Sequence, residues 1–397
     1  LHSQVIALLN LPVGLGSWPL DIPEAKRLLL ARPDGELRDP RQLVRDALEA
    51  PFHFEPMRRA MTPDDRVAIV LDADLPQAAA LIAGVLDHLA TANIAPAAVS
   101  VITPPGSRET WIDDLPDEFA DVTAETHDPA DRKKLAYLAT TKGGRRVYLN
   151  RTLVESDFII ALTGRRFDPV RRYAGAEVAI FPSLSDEETI AANAGPYSKQ
   201  HPWPGREESH EVAWLLGTPF LVQVIEGEGD TVHAVVAGLL DSSEEGRKNQ
   251  DARWRFELES KADAAIATIA GDPANITFLD LAKAAATAAR SVRKGGRIAL
   301  LTEAAPALGE GAEMIRRMDE PRWPSKLNPP DWAACRRWCA AASHASLFLK
   351  SGLAGETAEE LFATPLASHQ EVQRLVESAG SVVVIPDANK ARVEVKE

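Results

Sequence analysis

Only two cysteines, four methionines and four tyrosines occur in the 397 residues. Cys335 and Cys339 sit four apart with no second pair to complete a metal quartet, which excludes a zinc ribbon or a disulfide framework. On a helix both would share one face as small buried residues. No apolar run approaches the ~18 residues that a membrane span needs. The first ten residues lack a charged n-region and a cleavage site, so they are not read as a signal peptide, and the expected compartment is cytoplasmic. Cations are also in deficit. Lys and Arg number 44 against 58 Asp and Glu, giving a formal net charge of −14. That balance argues against nucleic acid as a partner, because such surfaces cluster Lys and Arg. Neither Gly143-Gly144 nor Gly295-Gly296 has the spacing of a Walker or dinucleotide loop, so these glycines read as turn and helix-end residues. Internal repeats and low-complexity tracts are lacking as well.

What is present alternates between strand and helix patterns. Cores stop growing near ~250–300 residues, and the turn residues Gly271-Asp272-Pro273 mark a boundary between domains at 1–270 and 275–397. A strand over 67–71 ends in Asp72. A helix over 77–89, opened by Pro76, puts Leu81, Ile82, Val85 and Leu89 on one face. A second strand over 98–103 runs into Pro104-Pro105-Gly106. This order places Asp72 and the Gly106 loop at the carboxyl ends of neighbouring parallel strands, the edge where open parallel sheets hold ligands. Strands follow at 145–149 and 158–162, the second leading into Gly164-Arg165-Arg166-Phe167-Asp168-Pro169. Residues 207–216 read as a helix, and 220–225 with 233–237 as a hairpin.

Beyond the boundary, helices are expected over 279–294, 331–342, 357–362 and 369–378, with strands at 297–301, 345–349 and 381–385. Arg290, Arg293 and Lys294 fall in the last turn of the first helix, and Gly295-Gly296 caps it. The fold class is therefore α/β: two α/β domains with mainly parallel sheets and an interdomain cleft.

Charged groups gather near the strand ends. Asp72, Arg108, Asp168 and the cluster Arg165, Arg166, Arg171 and Arg172 combine carboxylates with guanidinium forks, which suits a small anionic molecule. The competing reading leaves these arginines solvated or paired with Glu177, Asp186, Glu187 and Glu188. His127, in a His-Asp-Pro setting, reads as a residue that holds a turn, with a catalytic base as the sharper option. His201 and His210 have no third ligand at metal-like spacing, so no metal site is assigned. Trp203, Trp214, Trp323, Trp332 and Trp338 are expected in cores or interfaces.

Several segments in order carry a resemblance. They include Ala47-Leu48-Glu49-Ala50-Pro51 ahead of Asp72, then Glu125-Thr126-His127-Asp128-Pro129, Val147-Tyr148-Leu149-Asn150-Arg151 and Glu155-Ser156-Asp157. Gly164–Pro169 by number, Ile180-Phe181-Pro182 and Thr189-Ile190-Ala191-Ala192-Asn193 continue the frame, and residues 288–296 and Leu308-Gly309-Glu310-Gly311 extend it. Over nearly the whole chain this pattern resembles the nickel-dependent lactate racemase (LarA-like) family. The resemblance implies a two-domain α/β fold acting on 2-hydroxy acids through a nickel-pincer nucleotide. In that family a lysine holds the nucleotide covalently, and two histidines serve metal binding and proton transfer.

Here Asp168, Val178 and Ala194 fall at the positions of the family's His, Lys and His. No lysine lies between Lys142 and Lys199 to replace the tether. The family's Asp–x–Thr–Arg–Pro turn becomes Asp72-Ala73-Asp74-Leu75-Pro76, which keeps the aspartate and puts Leu75 in place of a substrate-facing arginine. Ser107 stands where a proton-transferring histidine would be, and Lys283 lies near a family lysine. By resemblance the site comprises Asp72, Ser107 and Asp168 for catalysis, with Arg108, Arg165 and Lys283 for substrate.

The functional expectation is a divergent racemase-like protein that binds a small anionic organic acid or nucleotide-like ligand in the cleft. Racemase or epimerase activity fits that scaffold, while Val178 argues against the tethered nickel cofactor. Neither nucleic acid nor membrane is expected as a partner. The alternative is a non-catalytic binding or partner protein on the same scaffold. The first reading expects Asp72, Arg108, Asp168 and Lys283 to converge on one pocket. The second expects Leu75 and Val178 to fill that volume.

Overall fold

Val67–Leu71 is a run of five apolar residues with every side chain buried, and it forms the middle of a six-stranded sheet. The computed structural model describes residues 8–32, 37–72, 74–107, 110–168, 172–174, 176–193, 205–324 and 329–396. The chain forms two units. One, the central unit, comprises Asp34–Gly227 and Thr231–Ala252. The other, the terminal unit, comprises Leu1–Pro33, Glu228–Asp230 and Arg253–Glu397.

In the central unit the strands lie side by side as Val232–Gly238, Phe220–Glu226, Phe158–Gly164, Val67–Leu71, Val99–Thr103 and Thr123–Thr126. All neighbours are parallel except Val232–Gly238, which returns antiparallel as a hairpin arm. Helices Pro40–Glu49 and Ala78–Ala90 cover one face. Leu81, Ile82, Val85 and Leu89 point into that core, as their spacing requires. On the other face Ile180, Phe181 and Leu184 pack against Ala68, Val70 and Ala161. Coverage on both faces is what lets these strands be apolar throughout rather than alternating.

Chain order gives this sheet a reversal. From Val67–Leu71 the chain steps outward to Val99–Thr103 and Thr123–Thr126, and then returns to the opposite side of Val67–Leu71 as Phe158–Gly164. The switch point therefore lies between Val67–Leu71 and Phe158–Gly164, which places their carboxyl ends at the ligand crevice of such sheets.

The terminal unit has its own parallel sheet, in the order Ala363–Pro365, Ser346–Lys350, Val292–Leu301, Ala262–Thr268, Val382–Ile385 and Arg27–Leu29. Helix Phe278–Ser291 begins with a capping box, in which Thr277 and Asp280 exchange side-chain and backbone hydrogen bonds. It packs on Trp332–His344, where the Phe278 and Trp338 ring centroids are 5.4 Å apart and Trp338 Nε1 donates to Leu361 O at 2.7 Å. Cys335 and Cys339 are both buried on that second helix.

Three sequence expectations change. A single boundary near residue 270 does not describe the units, because Arg27–Leu29 pairs with Val382–Ile385 and so carries residues before 33 into the terminal unit. The helix expected over 279–294 stops at Ser291. Val292 already pairs with Ala262, and the register then slips so that Arg297 meets Ala264. Gly295, at φ +75°, and Gly296, whose added Cβ would lie 2.9 Å from two carbonyl oxygens, allow that bulge. Arg293 turns to Asp263 at 2.8 Å instead of serving a helix end. Trp214, expected in a core or interface, is 67% exposed. Among the described residues no helix is long and apolar enough to cross a membrane.

Candidate functional site

The switch point of the central sheet holds a closely connected charged group. Asp72 follows directly on Val67–Leu71, and its own N–H donates to Leu162 O at 3.0 Å, which anchors it between the two strands. Asp72 Oδ1 accepts from Asp74 N at 3.1 Å, and Oδ2 accepts from Gly164 N at 3.1 Å. Arg166 adds Nη1 to the same Oδ2 at 2.6 Å. The remaining Arg166 donors are directed to Glu226 Oε1, from Nε at 2.5 Å, and to Asp74 O, from Nη2 at 2.9 Å.

The side chains of Arg166, Asp72 and Glu226 are 29%, 21% and 12% exposed. The group is therefore only partly buried and still meets solvent. Burial pushes the Asp72 carboxyl up, but the Arg166 charge and the N–H groups of Asp74 and Gly164 outweigh it, and its pKa ends below the usual carboxylate value. Burial likewise opposes the Arg166 charge. The carboxylates of Asp72, Glu226 and Asp74 more than compensate, and Arg166 stays protonated.

Gly164 has a steric reason to be glycine. An added Cβ would lie 2.7 Å from Arg166 Cζ, so the guanidinium folds over the space a side chain would take. The neighbouring Arg165 points the other way. It is buried, with Nε donating to Gln223 Oε1 at 2.9 Å and Nη2 reaching the same oxygen. Gln223 Nε2 in turn donates to Ser242 O and Oγ, each at 3.0 Å. Arg165 is thus held inside the unit, while Arg166 faces the crevice.

The other site residues named from sequence fall in different settings. Ser107 donates its hydroxyl to Pro104 O at 2.7 Å and so closes its own turn. Asp168 lies in the short strand Arg166–Asp168, opposite Arg172 of Arg172–Ala174. Arg108, Arg171, Ala194 and His201 lie outside the described residues. Lys283 belongs to the terminal unit, on Phe278–Ser291, with Nζ 3.6 Å from Asp280 Oδ1. Leu75 is 6% exposed and joins the core beneath Ala78–Ala90. Val178, on helix Ala176–Ile180, is half-buried.

His127 is buried at the end of Thr123–Thr126, where its N–H donates to Thr103 O at 2.9 Å and Nε2 lies 2.8 Å from Ser185 O. These contacts give it the turn-holding role preferred from its sequence setting. Glu226 was missed in the sequence. It closes a strand read there only as a hairpin arm, and its partner Arg166 is 60 residues away. A charged residue ending a strand whose other side chains are all buried was the available signal.

The residues present do not fit a covalently tethered nickel nucleotide. At the position that the resemblance assigns to the tether, Val178 offers no amine. Ser107 has its hydroxyl committed to Pro104 O and offers no imidazole. Among the described residues no three His, Cys, Asp or Glu side chains gather as a metal cluster.

Two α/β units, each on a wholly or mainly parallel sheet and one carrying an Asp–Arg pair at its switch point, define a protein with the lactate racemase fold. The structure is similar to the lactate racemase apoprotein from Thermoanaerobacterium thermosaccharolyticum, with a TM-score of 0.75 and 16% identity over 98% of this chain and 100% of that one. It is also similar to a Thermotoga maritima protein, with a TM-score of 0.63 and 11% identity over 91% of this chain and 100% of that one. No curated sequence matches the chain. Residues 13–201 match the lactate racemase N-terminal domain family.

Proposed function

We propose that this lactate racemase-like protein binds a small organic acid of the 2-hydroxy acid type at the carboxyl edge of the central sheet, and that it works without a tethered nickel nucleotide. The observation that carries the reading is Arg166. It is a partly exposed guanidinium held 2.6 Å from Asp72 at the switch point of the sheet. A ligand carboxylate can compete with Glu226 for the Nε side of that fork, since arginine takes carboxylates in a bidentate manner. Asp72 would then orient the guanidinium, with Ser107 on a loop and Asp168 on the short strand Arg166–Asp168 as the other candidates. Arg108 remains a candidate for a further substrate contact, and a nucleotide-like anion is the other ligand this charge pattern suits. Any turnover would be of racemase or epimerase type.

A second reading, a binding or partner protein that kept the scaffold without the chemistry, is favoured by Leu75. Placed where a substrate-facing arginine is implied, it is packed in the core instead.

The test is calorimetric titration with D- and L-lactate, together with chiral chromatography of each enantiomer after incubation and intact-mass and nickel analysis of protein from its native host. Binding that weakens in Arg166→Gln, on a bare polypeptide mass, supports the proposal. Loss of optical purity would add racemase activity. No binding of either enantiomer favours the second reading. A nucleotide-sized adduct with stoichiometric nickel would overturn the cofactor-free part.

A further inference from the structure

Away from the switch point, the chain after helix Pro40–Glu49 folds across the amino-terminal end of the central sheet. Phe52 N donates to Ala237 O at 2.7 Å. Pro51, His53, Phe54, Glu55, Arg59 and Ala60 line an open cavity of about 550 Å³ there. Met57 is fully buried and pins the middle of this loop. Its next residue is held in a less usual way. Arg58 N donates to Nε2 of His88 at 3.2 Å, and His88, in the last turn of Ala78–Ala90, is 3% exposed.

An imidazole nitrogen accepts a hydrogen bond only while it carries no proton. His88 Nδ1 faces Glu49 Oε2 at 3.9 Å, so the neutral ring holds its single proton on that side. The charged groups facing the ring are Glu49 from the preceding helix and Arg58 from the loop. Asp87, its neighbour on the same helix, is turned to Arg41 and Arg45. Burial holds the His88 pKa below the ordinary histidine value, with Glu49 pulling it up and Arg58 pushing it down.

We infer that His88 is an acid-operated catch for the loop wall formed by Arg58, Arg59 and Ala60. A proton taken from solvent onto Nε2 turns the acceptor of the Arg58 amide into a second donor. Two N–H groups then face each other, and the amide loses its partner. Nδ1–H still points to Glu49, so the ring stays seated on the helix side and the loop is the part that gives way. The backbone of the cavity wall is loosened at this amide, while the Arg58 guanidinium keeps its bonds to Glu49 at 2.9 and 2.7 Å and Met57 and the sheet keep their places. Such a device makes the cavity at this end of the sheet responsive to pH independently of the crevice at Asp72.

The test is hydrogen–deuterium exchange on the full chain from pH 7.5 down to 5, with intrinsic exchange rates divided out. The segment 56–61 is expected to exchange roughly tenfold faster once His88 is protonated, the factor that loss of one buried hydrogen bond implies. Val67–Leu71 should stay protected. In His88→Gln a side-chain oxygen can accept the same N–H without titrating, and the acceleration should vanish. In His88→Leu the fast exchange should appear at every pH, and Glu49→Gln should move the midpoint to lower pH. Equal pH profiles in the wild type and His88→Gln would overturn the inference. So would opening of 56–61 only together with the sheet.

Discussion

Arg166 and Asp72 form an ion pair 2.6 Å long across the switch point, between the first residue of Arg166–Asp168 and the residue that follows Val67–Leu71, 94 apart in sequence. Glu226 shares the same guanidinium. Removing the cation would leave two carboxylates facing each other at the crevice. Breaking a buried pair costs about 3–5 kcal/mol. Because a fifth to a third of these two side chains meets solvent, about 2 kcal/mol is expected for Arg166→Ala by urea denaturation. Adding Asp72→Asn should restore part of the loss.

Gly164→Ala should act through the same pair. The new Cβ would press on Arg166 Cζ, so its cost is bounded by what Arg166 contributes. In an Arg166→Ala background the glycine substitution should become nearly neutral. A double-mutant cycle reads this directly, and simple additivity of the two costs would contradict it.

Leu75 distinguishes the two functional readings energetically. As a core residue, truncated to alanine it should cost about 2–4 kcal/mol. Leu75→Arg should cost at least as much, because it buries a charge without a partner. A change within ~0.5 kcal/mol, typical of surface positions, would mean that Leu75 faces solvent.

His127 sets a direction for acid stability. Burial keeps its pKa below the ordinary value, against the pull of its bond to Ser185 O and of Glu125 and Asp128. Between the native pKa and about 6.5 the unfolded chain binds the extra proton and the native chain does not. Stability from this group is therefore complete above about pH 6.5 and declines as pH falls through that window. His127→Gln should flatten that part of the pH–stability curve, which thermal melts from pH 7.5 to 5 will show.

The two thiols should be unreactive in the native protein. Burial pushes Cys339 up to about 11, and burial together with Asp331 pushes Cys335 higher still. Thiolate is the reactive form, so labelling with a disulfide reagent at pH 8 should follow unfolding. Rapid labelling of either cysteine in the folded protein would contradict the packing of Trp332–His344.

Much of this architecture is legible in the residues. Val67–Leu71 and residues 158–162 stand out as continuous apolar runs, and the 3.6-residue spacing of Leu81, Ile82, Val85 and Leu89 gives the helix between two parallel strands. The order of these elements also placed Asp72 at a carboxyl edge. What was not legible depends on long-range geometry. Nothing local distinguishes Arg165 from Arg166, yet one is buried against Gln223 and the other reaches Asp72. That choice is made by strand alternation at the end of Phe158–Gly164 and by which partner strand supplies a carboxylate. The end of Phe278–Ser291 was misjudged for a similar reason. Cations and glycines look like a helix terminus, and only pairing with Ala262 turns Val292 into a strand.

The pairing of Arg27–Leu29 with Val382–Ile385 also fixes an order of events during synthesis. Arg27–Leu29 leaves the ribosome long before Val382–Ile385, the strand it needs. At ~5–20 residues per second the wait is on the order of tens of seconds. Throughout that time Leu28 and Leu29 have no sheet to join, whereas Val67–Leu71 can meet its own neighbours much sooner. The central sheet can therefore assemble while translation continues, and the terminal sheet can be completed only after Val382–Ile385 has been made.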